Sequence, residues 1–519
     1  MRRKLVACMA AGAVLAAAGT SVAEVEIRTN DGSVSVKGEL LSFTDGVYEL
    51  ETAVGVMRIP GDIAVCVGEE CPAPPVPTEF KIKTASAIGG DLIMRLIGGY
   101  ASANDANVFI DFDTAQRLMN VSLQDESEEK LADIALSRGA ADDAFDALLS
   151  GDSQVIVTSR RPSEDERTSF AAAGLGEVLS EEREVVLALD GFAVLVSSEN
   201  DARSIAVEEI ATVFSGQTTN WADLGGPNAP IRVIMSNADA EAADYFERNV
   251  LGPLGLSLAA NIERLDTDAA VADAVEADPL AIGLASVVAT EDSHTLPVRL
   301  ACGLTSEPSF FSVKAEEYPL SRRLFLYARG DQLPTEAERL IDYSRTAAGQ
   351  LNVAEVGLVD QGVVTRNLSD LGGRLATALV EARDVGGVVQ LRNMALELID
   401  AEQLSTTLRF RSASAQLDSK ALQDVERLAT LFSSPDYQDK EILLAGFTDS
   451  VGRLDLNLVL ANRRAEQVRA AILEASGGAL DPSAIQSLGY GPTAPVGCND
   501  TLAGRQVNRR VEVWVRDRF

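Results

Sequence analysis

The chain has 519 residues, 46% hydrophobic and 24% charged, with 78 acidic against 45 basic side chains and a formal net charge of -33. That length predicts two or three domains, each able to bury an ordinary core. The acidity excludes a whole-chain affinity for DNA, RNA or anionic membrane, which repel a chain of their own sign.

Residues 1–23 read as a secretory signal. Arg2, Arg3 and Lys4 form a basic start, Leu5 to Gly19 is apolar and Ala-rich, and Ser21-Val22-Ala23 is a small-x-small cleavage site before Glu24. Leu5-Val6-Ala7-Cys8 has the outline of a lipoprotein box, but almost no apolar run precedes Cys8. No later uncharged run approaches the ~18 residues of a membrane helix, and no series of membrane strands stands out. Beyond the signal stand Cys66, Cys71, Cys302 and Cys498. An even count in an exported chain points to disulfides, and Cys66 and Cys71 are close enough to pair. A Cys302–Cys498 bridge would join two different domains and is disfavoured, leaving buried or free thiols as the alternative. A single His argues against a Cys/His zinc site, so no metal or cofactor is expected.

Residues 24–71 alternate apolar and polar side chains between turn signals at Asn30-Asp31-Gly32 and Asp45-Gly46, the pattern of a small β module. A stiff Pro-rich linker follows at 72–78. From 79 to 364, short apolar strands such as Val155-Ile156-Val157 and Phe192–Val196 alternate with helical stretches such as Gly90–Tyr100 and Ala240–Val250. That alternation predicts an α/β domain with an open sheet. Residues 365–403 read as a helical connector. The last domain, 404–519, runs strand, helix, strand, helix, strand: Thr407–Phe410, Ser419–Phe432, Glu441–Phe447, Asp455–Glu474 and Arg510–Val515.

The strand Glu441–Phe447 ends in Gly446-Phe447-Thr448-Asp449-Ser450-Val451-Gly452. In the next helix Asn457, Leu460, Ala461 and Arg464 follow i, i+3, i+4, i+7 spacing and share one face. Arg464 can therefore point at the loop holding Asp449. A carboxylate suits an ammonium group, and a guanidinium fork suits a carboxylate. A ligand with both groups on one carbon satisfies the pair: an amino-acid head, or the side-chain end of diaminopimelate.

These motifs, with Gly489-Tyr490-Gly491, Asn499-Asp500-Thr501, Gly504-Arg505 and Asn508-Arg509-Arg510-Val511-Glu512, resemble the OmpA-like peptidoglycan-binding family over about 404–519. The resemblance implies that Asp449 and Arg464 hold diaminopimelate of a peptidoglycan stem peptide, with Thr448, Asn457 and Arg509 completing the site. Ala461 stands where that family often has Ser. Without this context, Asp449 and Arg464 read as a plain ion pair. Asn508-Arg509-Arg510 is better read as anchoring the final strand and lining the site than as a nucleic-acid patch.

Residues 79–364 resemble periplasmic solute-binding proteins of the phosphate type. The stretches that carry this are Ala87-Ile88-Gly89, Ser159-Arg160-Arg161-Pro162, Asp190–Val194, Phe214-Ser215-Gly216 with Asn220-Trp221, and Tyr318–Arg322. The resemblance implies two α/β lobes around a cleft, with Thr84, Ser86, Ser159 and Arg160 as candidate ligands for a small anion such as phosphate. One departure stands out. Where the family carries Ser-Gly-Thr before a helix of the second lobe, this chain has Ala240-Glu241-Ala242. A carboxylate there repels an incoming anion. Phe214 and Trp221 read as core rather than stacking platforms.

Catalytic patterns are weak. His294 lies in a polar loop without a nucleophile motif, and neither a G-x-S-x-G elbow nor a phosphate loop occurs. The fold class expected is α/β multidomain: a small β module, a two-lobed periplasmic-binding-protein-like domain and an OmpA-like α+β domain ordered βαβαβ. The function expected is non-enzymatic anchoring to peptidoglycan in the periplasm, at the cell wall and outer membrane. Phosphate capture for an ABC-type transport system and cell-wall hydrolysis are the alternatives.

Overall fold

The computed structural model describes residues 25–518, apart from 30–33, 45–46, 53, 61–63, 69–70, 72–77, 116, 181, 238, 291–292, 331–332, 383–384 and 412–415. The expected signal, and the expected linker apart from Thr78, lie outside the described residues. The chain divides into two compact units, residues 1–76 and 77–519.

The first unit is an antiparallel five-stranded sheet ordered Gly55–Pro60, Val47–Thr52, Ser35–Thr44, Val25–Thr29, Ala64–Val67. Period-two alternation turns Val25 and Ile27, and Tyr48 and Leu50, into one small core with Ala64. Cys66 and Cys71 are joined by a disulfide, their Cα atoms 5.6 Å apart.

In the second unit, residues 78–328 build one long sheet on which two lobes meet. The strand Glu184–Val196, buried at all 13 positions, connects them. Its first half pairs antiparallel with Ser321–Ala328 and its second half with Ala281–Ser286. One lobe continues through Val155–Thr158, Thr78–Thr84 and Lys130–Arg138. The other continues through Arg232–Ser236 and Glu263–Leu265. A near-continuous apolar run such as Val185–Leu189 and Phe192–Val196 is what a strand covered on both faces requires. The helix expected at 90–100 runs Ala87–Ala103, because the Ser86 side chain caps it by accepting from the Gly89 N–H. The stretch expected as one helix from 240 to 250 is α-helical only over Ala240–Phe246 and continues as a π-turn over Glu247–Leu251.

The C-terminal sheet is ordered Thr365–Asn367, Glu402–Arg409, Arg510–Asp517, Lys440–Phe447, Ile485–Gly491. The expected strand–helix–strand–helix–strand order is present, with the strand Ile485–Gly491 and the short helix Leu502–Asn508 added before the last strand. Both faces of this sheet are covered. Ile442 and Leu444 pack with Val425, Leu428, Val468 and Ile472 of the helices Ser419–Phe432 and Leu454–Ala475. Leu443, Ala445 and Phe447, on the alternate face, pack with Leu391, Met394 and Leu398 of the helix Val385–Leu398. The segment 365–403, read from sequence as a connector, is thus a layer of this domain and supplies one of its strands.

The C-terminal domain docks on the middle domain through buried polar groups. Arg323 pairs with Glu316 and with Asp418 at 3.1 Å, and Arg409 donates to the Ala315 and Glu316 carbonyls at 2.9 and 2.8 Å. Gln423 bonds both the Val186 N–H and the Glu184 carbonyl. A disulfide between Cys302 and Cys498 ties the two domains together, contrary to the expectation from sequence. The domains are in direct contact, so a bridge between them needs no linker to span.

Candidate functional site

The C-terminal site is built at the end of the strand Lys440–Phe447, where the chain turns into the helix Leu454–Ala475. Gly446 makes the close approach possible: a Cβ there would lie 2.1 Å from the Ala461 carbonyl oxygen. The helix therefore rests against the strand and sets Arg464 beneath the loop.

Asp449 and Arg464 fall on the same side of the domain, but they do not bond directly. Asp449 Oδ2 accepts from Arg509 Nη1 at 2.9 Å, and its Oδ1 accepts from the Val451 N–H at 3.0 Å. Arg464 is 7% exposed, lies over the Phe410 ring, and has only a 3.5 Å contact from Nη1 to the Phe447 carbonyl. Its Nε is buried without a partner. Burial and the nearby Arg509 charge lower the Arg464 pKa, against the opposing pull of Asp449. Among the described residues no carboxylate forms an ion pair with Arg464. The site holds three charges, of which one cation lacks a counter-ion, and this favours an incoming carboxylate.

Thr448 and Asn457 shape the loop. The Thr448 N–H donates to the Gly491 carbonyl and its hydroxyl to the Asp449 carbonyl, while Asn457 Nδ2 donates to the Val451 carbonyl. Sequence reasoning gave no role to Asn499 and Asn508, which fix the opposite wall. Asn499 Oδ1 accepts from the Ser450 N–H at 3.1 Å and from Asn508 Nδ2 at 3.0 Å. Asn508 Oδ1 accepts from the Val496 and Gly497 N–H groups. Both lie in stretches whose motif was visible, but their partners lie 49 and 11–12 residues away.

Residues 409–509 match the family model of the OmpA family, and residues 101–346 match the PBP superfamily domain. The chain is a fusion of these two domains. Both are of binding or structural type. The OmpA stretch is 32% identical over 110 residues to the probable lipoprotein YiaD of Escherichia coli, covering 21% of this chain and 48% of that protein. It is 40% identical over 92 residues to outer membrane porin F of Pseudomonas fluorescens, covering 18% and 27%. The PBP stretch is 23% identical over 209 residues to the phosphate-binding protein PstS of Staphylococcus haemolyticus, covering 39% and 63%. The chain thus spans less than two thirds of each of these relatives. A solved ABC-type phosphate transport receptor from Vibrio cholerae aligns over 54% of this chain and 98% of its own, at 17% identity and a TM-score of 0.41.

In the PBP-like domain the candidate ligands fare differently. Thr84 is buried, and the Ser86 hydroxyl is spent as a helix cap. Arg160 is turned to Glu166 at 2.7 and 2.8 Å and to Asp142 at 2.6 Å, over the Phe145 ring, so its charge is matched within its own lobe. The Ser159 N–H donates to Glu241 Oε1 at 2.8 Å, and the Thr158 hydroxyl donates to the same oxygen at 2.6 Å. Arg322 joins Asp190 and Asp239 at 2.9 and 3.0 Å, a triad placed where the lobes meet. A cavity of about 190 Å³ beside this triad is lined by Asp91, Asp190, Asp239, Asp268 and Arg322. Burial, and then the neighbouring Asp190 charge, raise the Asp268 pKa. Among the described residues no helix is long and apolar enough to cross a membrane.

Proposed function

We propose that this chain is a non-enzymatic envelope protein whose OmpA domain binds peptidoglycan and tethers the PBP-like domain in the periplasm. The observation that carries this reading is Arg464, a buried guanidinium with an unpartnered Nε beside the Asp449–Arg509 pair. Burying an unpaired charge is costly, and the cost is recovered when a ligand carboxylate arrives. A stem-peptide residue with a free amine and carboxylate supplies that group to Arg464 and an ammonium to Asp449. The family match over 409–509 and the outer-membrane relatives support this assignment.

Sedimentation with purified peptidoglycan tests it. Wild-type protein is expected in the pellet, and the Arg464→Ala and Asp449→Ala variants in the supernatant. Equal sedimentation of all three rejects the site.

The second reading is capture of a small oxyanion such as phosphate for import, favoured by the similarity of the PBP stretch to a protein named as phosphate-binding. Calorimetry with phosphate at millimolar concentration decides it, and absence of heat rejects it.

A further inference from the structure

Glu241 stands in the first turn of the helix Ala240–Phe246 of one lobe and reaches Thr158 and Ser159, at the tip of a strand in the other. It is 5% exposed. Among the described residues it has no cationic partner. Its Oε1 takes one hydroxyl and one backbone N–H, while its Oε2 and the nearby Ser159 Oγ are both buried without partners. A buried carboxylate is costly unless it meets donors, and here the donors it meets are the kind that hold a free anion. They come from an element 82 and 83 residues away in sequence, so the bond also joins the lobes. A neighbouring cross-lobe tie, Arg322 to Asp190 and Asp239, acts in the same direction, and Asp239 caps the Glu241 helix.

We propose that Glu241 is a built-in ligand: its carboxylate fills an oxyanion site formed by Thr158 and Ser159 and holds the two lobes together. A tethered group competes at an effective concentration in the millimolar range or above, so a free oxyanion must displace it against both this concentration and charge repulsion. The site itself takes a small oxyanion, a carboxylate or phosphate, once the side chain is removed.

The test is calorimetry and thermal denaturation of the full chain with inorganic phosphate and, separately, formate. Wild type is expected to show neither heat nor a change in melting temperature. Glu241→Ala is expected to melt lower and to be restabilised saturably by either anion, with phosphate binding about tenfold or more tighter than in wild type. An Ala variant that folds only when an anion is present reports the same occupancy. Glu241→Gln, which keeps the volume and the acceptor, is expected to remain closed and blind to phosphate; phosphate binding by this variant would show that charge repulsion alone had kept the anion out, and would overturn the proposal. Wild type binding phosphate as tightly as Glu241→Ala overturns it too, as does an Ala variant that neither anion restabilises. Sedimentation of Glu241→Ala with peptidoglycan is expected to match wild type, which separates this proposal from the anchoring one.

Discussion

Cys302 of the PBP-like domain and Cys498 of the OmpA domain, 196 residues apart in sequence, are joined by a disulfide with their Cα atoms 5.6 Å apart. The bridge closes a long loop and fixes one domain on the other beside a cavity of about 1040 Å³ lined by both. Because Cys498 precedes Asn499, whose side chain holds the Ser450 N–H, the same covalent tie also braces the wall of the proposed peptidoglycan site.

Replacing both cysteines by Ser is therefore expected to destabilise the fused unit by about 2–5 kcal/mol, since the cross-link restricts the unfolded chain. Chemical denaturation followed by fluorescence measures this. An unchanged midpoint would mean that the polar interface alone holds the domains.

Arg464→Lys keeps the charge but removes the planar fork. If a carboxylate binds in two-point fashion, lysine is a poor substitute, and peptidoglycan affinity falls by about tenfold or more. Quantitative sedimentation at several protein concentrations reads the change. Recovery of wild-type affinity by lysine would reduce the role of Arg464 to a point charge.

Acid is expected to weaken the packing of the C-terminal domain on the middle domain, because buried carboxylates there have depressed pKa values. Burial alone would raise the pKa of Glu316, but the charge and hydrogen bond of Arg323, with the charges of Lys420 and Arg409, together outweigh it and hold the carboxyl well below its ordinary value of 4.5. Asp424 behaves likewise: burial opposes, while Lys420 and Arg427 lower its pKa from the ordinary 3.8. A carboxylate depressed in the folded state contributes stability that is complete above its unfolded pKa and lost as pH falls through the folded one. The melting temperature is expected to be level above about pH 5 and to drop progressively below about pH 4.5. A scanning calorimetry series across that range checks it; a midpoint that does not fall would show that these pairs add nothing.

The sequence pattern carries the order of elements well where periodicity is strong. Of the four positions that spacing puts on one face, Asn457, Ala461 and Arg464 are buried, whereas Leu460 is left exposed. The strand Ile485–Gly491 was not legible, because its glycines and polar residues at an edge of the sheet give no apolar run. The acceptor of Arg509 was hidden for another reason. Asp449 is 60 residues away, and only folding chooses it over other acids in a chain that has 78. The departure at Glu241 was visible, whereas its bonds to Thr158 and Ser159 depend on how two lobes close.

Gly446 offers a last test of how the C-terminal site is held. Alanine there puts a Cβ 2.1 Å from the backbone oxygen of Ala461, which cannot rotate away as a side chain would. The helix must lift from the strand, at a cost of about 1–3 kcal/mol or more, and Arg464, one turn further along it, moves with it. Gly446→Ala is expected to lower the denaturation midpoint and to weaken peptidoglycan sedimentation together. Gly373→Ala, where an added Cβ meets nothing within 4 Å, is the matched control and is expected to change neither. If Gly446→Ala loses stability yet sediments fully, the seating of that helix does not set the ligand geometry.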